Sequence, residues 1–131
     1  MNTYNTELQG TWIPSELLGA LLTPADVHGA HLSFSPAGAD LTLGGSDGCN
    51  WLSGTVHVDQ SGAFRVTPPG IATTLMACPH MLAFGTMLSQ ARYVALGPTY
   101  TLNTLRFFNA EHQPLGLFHL KTKDVARTGT P

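Results

Sequence analysis

The chain has 131 residues, of which 43% are hydrophobic and 11% are charged, a composition that suits one packed domain and excludes a disordered chain. Eight acidic and six basic side chains give a formal net charge of −2, and no basic stripe is present, so we expect no nucleic-acid partner. No apolar stretch approaches the roughly 20 residues that a membrane span requires, so we expect no membrane-spanning segment.

The first half of the chain is predicted to form short strands. Thr11-Trp12-Ile13 is the first of them, and Pro14 should prevent it from continuing as a central strand, because proline has no N–H. Residues 15–27 are predicted to be mostly loop. Alternation of apolar and polar residues then predicts strands at 31–35, 39–43, 54–58 and 63–67. Asp59-Gln60-Ser61-Gly62, between the last two, has the composition of a hairpin connection.

The second half contains the one predicted helix, at about residues 80–92. Met81, Phe84, Leu88 and Ala91 recur at helical spacing, and Pro79 suits a first helical turn. Residues 71–77 before the helix read as strand or extended chain, and short strands are predicted after it at 93–96, 100–102, 105–108 and 115–120. The fold class is therefore mainly β, an antiparallel meander that forms a small barrel or sandwich with one packed helix.

Three motifs carry a family resemblance: Gly10-Thr11-Trp12, Gly48-Cys49-Asn50 followed by Gly54, and residues 72–78 with the sequence Ala-Thr-Thr-Leu-Met-Ala-Cys. Together they resemble the META domain family of HslJ-like, heat-inducible bacterial proteins. The similarity covers residues 8–120, with residues 1–7 as an N-terminal extension and 121–131 as a polar tail. The resemblance implies a lipocalin-like barrel in a secreted or membrane-anchored envelope protein, and no established chemistry.

The residues that carry the resemblance are interpreted as structural. They are Trp12, Gly48, Asn50, Gly54, Ala72, Thr74, Met76 and Ala77. Glycine permits backbone conformations or close approaches that a Cβ obstructs, and Asn tolerates left-handed backbone. Family members usually carry an acidic residue in the helix, but residues 79–94 contain no Asp or Glu, so a function that needs this carboxylate is not expected here.

Two cysteines alone are compatible with one bridge or two free thiols. The resemblance favours a structural pair, and we predict a disulfide between Cys49 and Cys78. Such a bridge closes a loop of 29 residues' separation, for which the chain-entropy model gives roughly 3.5 kcal/mol of stabilisation.

Catalytic and metal sites are weakly indicated. His28 with His31, or Cys78 with His80, could hold a metal, but no zinc motif is present. Cys78 beside His80 also has the composition of a nucleophile with its base, although the apolar surroundings and the family pattern favour a disulfide. Asp40 and Asp47 could form an acid pair, with solvated turn carboxylates as the commoner outcome. We therefore assign no catalytic, metal or cofactor-binding residue and expect no cofactor.

The predicted function is a non-enzymatic, monomeric binding or accessory module of the cell envelope, linked to stress tolerance. The alternative is a carrier of a small apolar ligand in a barrel pocket, so the partner is an unknown protein or a small apolar molecule. The aromatic residues are predicted to fill the core rather than to line such a pocket; they are Phe34, Phe64, Tyr93, Tyr100, Phe107 and Phe118. Residues 1–9 lack an apolar leader, which is compatible with a cytoplasmic protein and with a mature secreted domain. The family resemblance implies a mature periplasmic or extracellular domain, with the cytoplasm as the remaining alternative.

Overall fold

The computed structural model of the protein describes residues 3–97 and 103–122. About half of this part of the chain is β-strand, with three short helices. The strands are β1 (Gly10–Leu17), β2 (Ala20–Leu21), β3 (His31–Ala37), β4 (Asp40–Ser46), β5 (Trp51–Val58), β6 (Phe64–Val66), β7 (Ala72–Thr73), β8 (Tyr93–Gly97), β9 (Thr104–Phe108) and β10 (Pro114–Thr122). The helices are α1 (Thr3–Glu7), α2 (Pro24–Val27) and α3 (Phe84–Gln90).

Eight strands form a nearly closed antiparallel barrel in the order β6-β5-β4-β3-β1-β10-β9-β8. The two ends of this order meet at β6 and β8. The N–H of Phe64 donates to the carbonyl oxygen of Arg92, and the N–H of Val94 donates to that of Gly62, both at 2.8 Å. The predicted mainly β, antiparallel barrel is therefore confirmed.

The predicted end of the first strand at Pro14 is wrong, because β1 continues to Leu17 in the middle of the sheet. Along one side, β1 pairs with β3 as far as Trp12 and with β2 from Glu16 onward. Pro14 falls in the gap between these two pairings. On the other side it lies opposite Phe118, next to an irregularity in the register with β10. A proline is tolerated where the ladder is interrupted in this way.

Residues 15–27, predicted as mostly loop, contain the end of β1, the two-residue β2 and α2. Pro24 begins α2 instead of ending an element. The N–H of Asp26 donates to Thr23 Oγ1, and the Asp26 carboxylate accepts the N–H of Thr23. This reciprocal pair is a capping box with proline in the first helical turn, and the four residues from Thr23 to Asp26 carry that signal.

Aromatic side chains fill the barrel, as predicted. Phe34, Phe107 and Phe118 are fully buried and Phe64 is nearly so. The ring centroids of Phe107 and Phe118 lie 5.5 Å apart in an edge-to-face arrangement, a favourable geometry for aromatic pairs. Tyr93 is only half-buried, and the prediction for Tyr100, like that for a strand at 100–102, falls outside the described residues.

The predicted helix exists, but α3 begins at Phe84 and ends at Gln90. The N–H of Leu82 donates to the carbonyl oxygen of Asp47 at 2.8 Å, so residues 79–83 are held by another loop instead of forming a helical turn. Phe84, Met87 and Leu88 are buried, whereas Met81, predicted on the same stripe, is exposed. Within the described ranges, no helix has the length and apolar character to cross a membrane.

Candidate functional site

The predicted disulfide between Cys49 and Cys78 is confirmed. Their Cα atoms are 5.9 Å apart across a sequence separation of 29 residues. The bridge joins the turn after β4 to the chain that follows β7. Because both sulfurs are bonded to each other, Cys78 has no thiolate to serve as a nucleophile or metal ligand beside His80.

Asp47 organises the turn that contains Cys49. Its side chain is only 7% exposed, and Oδ1 accepts the N–H of Cys49 at 2.9 Å and that of Asn50 at 2.6 Å. The prediction of a solvated carboxylate is therefore wrong here, because these N–H groups compensate for burial. An acid pair is also excluded, since Asp40 lies at the other end of β4 and bonds His57 Nδ1 at 2.7 Å.

Asn50 connects the same turn to residues 74–76. Its Oδ1 accepts the Thr74 hydroxyl at 2.9 Å and the N–H of Met76 at 2.6 Å. Its Nδ2 donates to the carbonyl oxygen of Met76 at 3.1 Å. The Asn50 side-chain amide thus makes the hydrogen bonds to the backbone of Met76 that a neighbouring strand would otherwise make. In addition, Thr74 Oγ1 accepts the N–H of Trp51.

The two motif glycines occupy positions that suit glycine for different reasons. Gly48 has φ +97°, a backbone conformation that side chains with a Cβ rarely adopt. A Cβ on Gly54 would lie 2.7 Å from Ile71 Cδ1 and 3.1 Å from the carbonyl oxygen of Gly70. Gly54 therefore allows the chain before β7 to lie close against β5.

The remaining motif residues lie in two places. Trp12 is fully buried in the core and its Nε1 donates to the carbonyl oxygen of Leu8 at 2.9 Å. Ala72 is exposed and pairs with Ser53 of β5. Met76 and Ala77 are also exposed and line a groove. The structure thus brings most of the family motif to one side of the barrel.

The groove has a volume of about 830 Å³. It lies at the seam of the barrel, where residues 71–77 follow β6 on one side and α3 lies on the other. Leu75 is 93% exposed, and Met76 and Met81 are also largely exposed. Sequence reasoning missed the groove. The unbroken run Leu75-Met76-Ala77 has no polar residue to mark a solvent-facing side, so its pattern does not distinguish an exposed segment from a buried one.

The histidines near the turn lie in pairwise ring contacts, and His31 Nδ1 also lies 3.0 Å from the carbonyl oxygen of Gly29. The rings of His28 and His80 have centroids 5.7 Å apart, and those of His31 and Trp51 are 6.2 Å apart. In the part of the chain that the structure describes, no group of three or more His, Cys, Asp or Glu side chains is placed to hold a metal ion.

Comparison with known proteins places the chain in one family. No curated protein and no solved structure matches it. The family model described as the META domain matches residues 6–121, which is most of the 131-residue chain. The matched range includes the disulfide, Asn50 and the residues that line the groove. The chain belongs to the META domain family.

Proposed function

We propose that the protein is a non-enzymatic binding module of the cell envelope and that its binding surface is the groove at the barrel seam. The observation that carries this proposal is the groove itself, whose volume of about 830 Å³ falls in the range of ligand sites. Exposed apolar side chains such as Leu75 and Met81 lose contact with water when a ligand covers them.

The position of the groove distinguishes this proposal from a carrier with a pocket inside the barrel. The interior is occupied by fully buried side chains, among them Trp12, Phe34 and Phe118. The available volume lies instead outside this core, between residues 71–77 and α3. A small apolar ligand, the alternative function, would therefore also bind at the seam.

The partners of the conspicuous polar residues support a non-enzymatic function. The cysteines bond to each other, Asp47 is held by two N–H groups of its own turn, and Asn50 holds Met76. These interactions fix the shape of the groove. The disulfide supports an oxidising compartment, and the link to stress tolerance rests on the resemblance to heat-inducible members of the family.

A neutral fluorescent probe, N-phenyl-1-naphthylamine, tests the groove. We expect its emission to rise on binding to the wild-type protein. Leu75→Ser removes an apolar contact surface and should weaken binding at least about fivefold. Leu21→Ser is the matched control, since Leu21 is 79% exposed and does not line the groove. Equal affinities of the two variants, or no binding to the wild type, would contradict the proposal.

The compartment is tested separately in the source organism. Cells are fractionated, free thiols are trapped with a maleimide reagent, and the protein is detected with an antibody. We expect oxidised protein in the envelope or medium. Protein found in the cytoplasm with both thiols free would overturn the envelope assignment.

A further inference from the structure

We propose that the groove binds an extended, uncharged peptide segment, which adds as a strand to the outer edge of residues 73–77. This inference rests on the proposed function, because it names the chemical class of the ligand for the same groove. Strand addition requires a free backbone edge, apolar space beside it and compatible charge. The groove provides all three.

The free edge exists because the barrel seam closes over only part of its length. Residues 62–64 bond to residues 92–94, and the continuation of this ladder would pair Arg65 with residue 91 and Val66 with residue 90. Those positions instead belong to the end of α3 and its cap. From Arg65 onward the edge strand therefore faces a helix across the groove, not another strand.

The backbone N–H groups of residues 72–77 point alternately toward β5 and away from it. The N–H of Thr74 donates to the carbonyl oxygen of Trp51, and that of Met76 donates to Asn50 Oδ1. In extended chain, successive N–H groups point to opposite sides, so those of Thr73, Leu75 and Ala77 point away from β5. Over the described residues, the structure shows no hydrogen-bond partner for the N–H of Leu75 or Ala77.

This edge is long enough for a short peptide. Five residues in extended conformation span about 16 Å, which suits a partner of roughly five to seven residues. Such an unpaired edge is an available template for another strand. The intramolecular side of the same segment is fixed by Asn50 and by β5, so the edge is held in place before a ligand binds.

Charge complementarity selects an uncharged partner. Among the described residues that line the groove, Asp47 is the only one with a charged side chain, and its Oδ1 already accepts two N–H groups. A fatty acid would find no cation in this lining to pair with its carboxylate. An acyl chain would also leave the N–H groups of Leu75 and Ala77 without partners, whereas a peptide backbone satisfies them.

The first test uses a fluorescein-labelled, end-blocked peptide of sequence Thr-Val-Thr-Val-Thr-Val-Thr, which presents one apolar face. Binding is followed by fluorescence anisotropy, and amide hydrogen exchange of the protein is followed by NMR. At saturation we expect exchange at Leu75 and Ala77 to slow at least about tenfold, and more than at Thr74, whose N–H is already bonded. No binding at millimolar peptide, or binding without this protection, would overturn the inference.

A pair of variants separates the backbone from the side chain. Leu75→Pro removes the N–H that points into the groove, and Leu75→Ala removes most of the side chain but keeps the N–H. Proline favours extended backbone at the preceding residue, and Thr74 continues the pairing of β7 with β5 through the bond from its N–H to the carbonyl oxygen of Trp51. We expect the proline variant to bind the peptide at least about fivefold more weakly than the alanine variant. Equal affinities of the two variants would contradict strand addition. If the proline variant does not fold, the hydrogen-exchange measurement on the wild-type protein decides between the outcomes.

Two other occupants are outcomes of the same experiments. If dodecanol displaces N-phenyl-1-naphthylamine and the peptide does not, the groove is an acyl-chain site and the peptide inference is wrong. If Leu75 and Ala77 become protected with rising protein concentration alone, together with dimer formation, the partner is a second copy of this chain. In either case the groove still binds the probe, so the proposed function survives while the inference fails.

Discussion

Replacing Asn50 by alanine tests whether a single buried amide holds the groove-forming segment in place. The change removes four side-chain hydrogen bonds: one to the Thr74 hydroxyl, two to the backbone of Met76 and a longer one to Met81 Sδ at 3.4 Å. Each bond of this kind contributes about 0.5–1.5 kcal/mol net. Because Met76 is exposed, water can reach its freed N–H and carbonyl oxygen, and the loss falls toward the lower part of the summed range. We expect the free energy of unfolding to fall by about 2–3 kcal/mol.

The matched control is Asn109→Ala. Asn109 makes three side-chain hydrogen bonds, but they join it to Glu111 and Gln113 within the same hairpin turn. Local bonds of this kind persist partly in the unfolded chain, so their loss changes the difference between the two states less. We expect this variant to lose no more than about 1 kcal/mol.

Urea unfolding followed by circular dichroism measures both values under non-reducing conditions. With a denaturant dependence of about 2 kcal/mol per molar urea, the Asn50 variant should unfold at a urea concentration about 1–1.5 M lower than the wild type. Hydrogen exchange at the Met76 amide should also accelerate, because its acceptor is gone. If the Asn50 and Asn109 variants lose the same stability, the amide does not hold the segment and the reasoning fails.

Three further predictions concern the scaffold. Replacing both cysteines by serine should lower the free energy of unfolding by about 3.5 kcal/mol, and a loss below about 1 kcal/mol in urea unfolding would refute the loop-closure argument. Gly54→Ala should destabilise the protein by about 1–2 kcal/mol, because the added Cβ would be too close to Ile71. Gly85→Ala should stabilise it by up to about 1 kcal/mol, because a Cβ at this position in α3 meets open space. A change of the same sign in both variants would contradict this explanation of the two glycines. The pKa of Asp59 is lowered mainly by the hydrogen bond that the Ser61 hydroxyl donates to its carboxylate, and also by the Ser61 backbone N–H. The ionised carboxylate therefore stabilises the fold above about pH 4, and this contribution is lost as the pH falls and the carboxylate is protonated. The difference in unfolding free energy between the wild type and Asp59→Ala should shrink as the pH falls below about 4. A difference that does not depend on pH would exclude this contribution of the Asp59 carboxylate.

The strands of the first hairpins could be predicted because one face of each is buried. In β3 and β4, the fully buried Leu32, Phe34, Leu41 and Leu43 alternate with polar or half-exposed residues, so the period of two is visible in the sequence. Pro14 misled the prediction because the rule against proline in central strands depends on continuous pairing. The gap between β3 and β2 along β1 is a property of the tertiary structure.

The helix boundary failed for a related reason. Met81 and Leu82 fit the apolar period of α3, but the N–H of Leu82 is taken by the carbonyl oxygen of Asp47. A hydrogen bond to a residue 35 positions earlier leaves no periodic signal. This bond keeps residues 79–83 out of the helix, so α3 begins only at Phe84. The same kind of long-range contact explains why Asp47 is buried although its sequence, Gly-Gly-Ser-Asp-Gly, is typical of a solvated turn.

The disulfide was accessible to sequence reasoning because the family motif names both cysteines, but the groove was not. Its apolar side chains are exposed, and an exposed leucine such as Leu75 has no periodicity that distinguishes it from a buried one. What keeps this segment extended is the set of polar contacts beneath it, from Asn50 to Met76 and from Trp51 to Thr74. A flexible loop would have to lose conformational entropy on binding, whereas a segment fixed along one edge has already lost most of it in folding. The buried amide and the bridge thus connect to function through the rigidity of an exposed edge. Loosening either should weaken peptide binding in the groove even where Leu75 is unchanged.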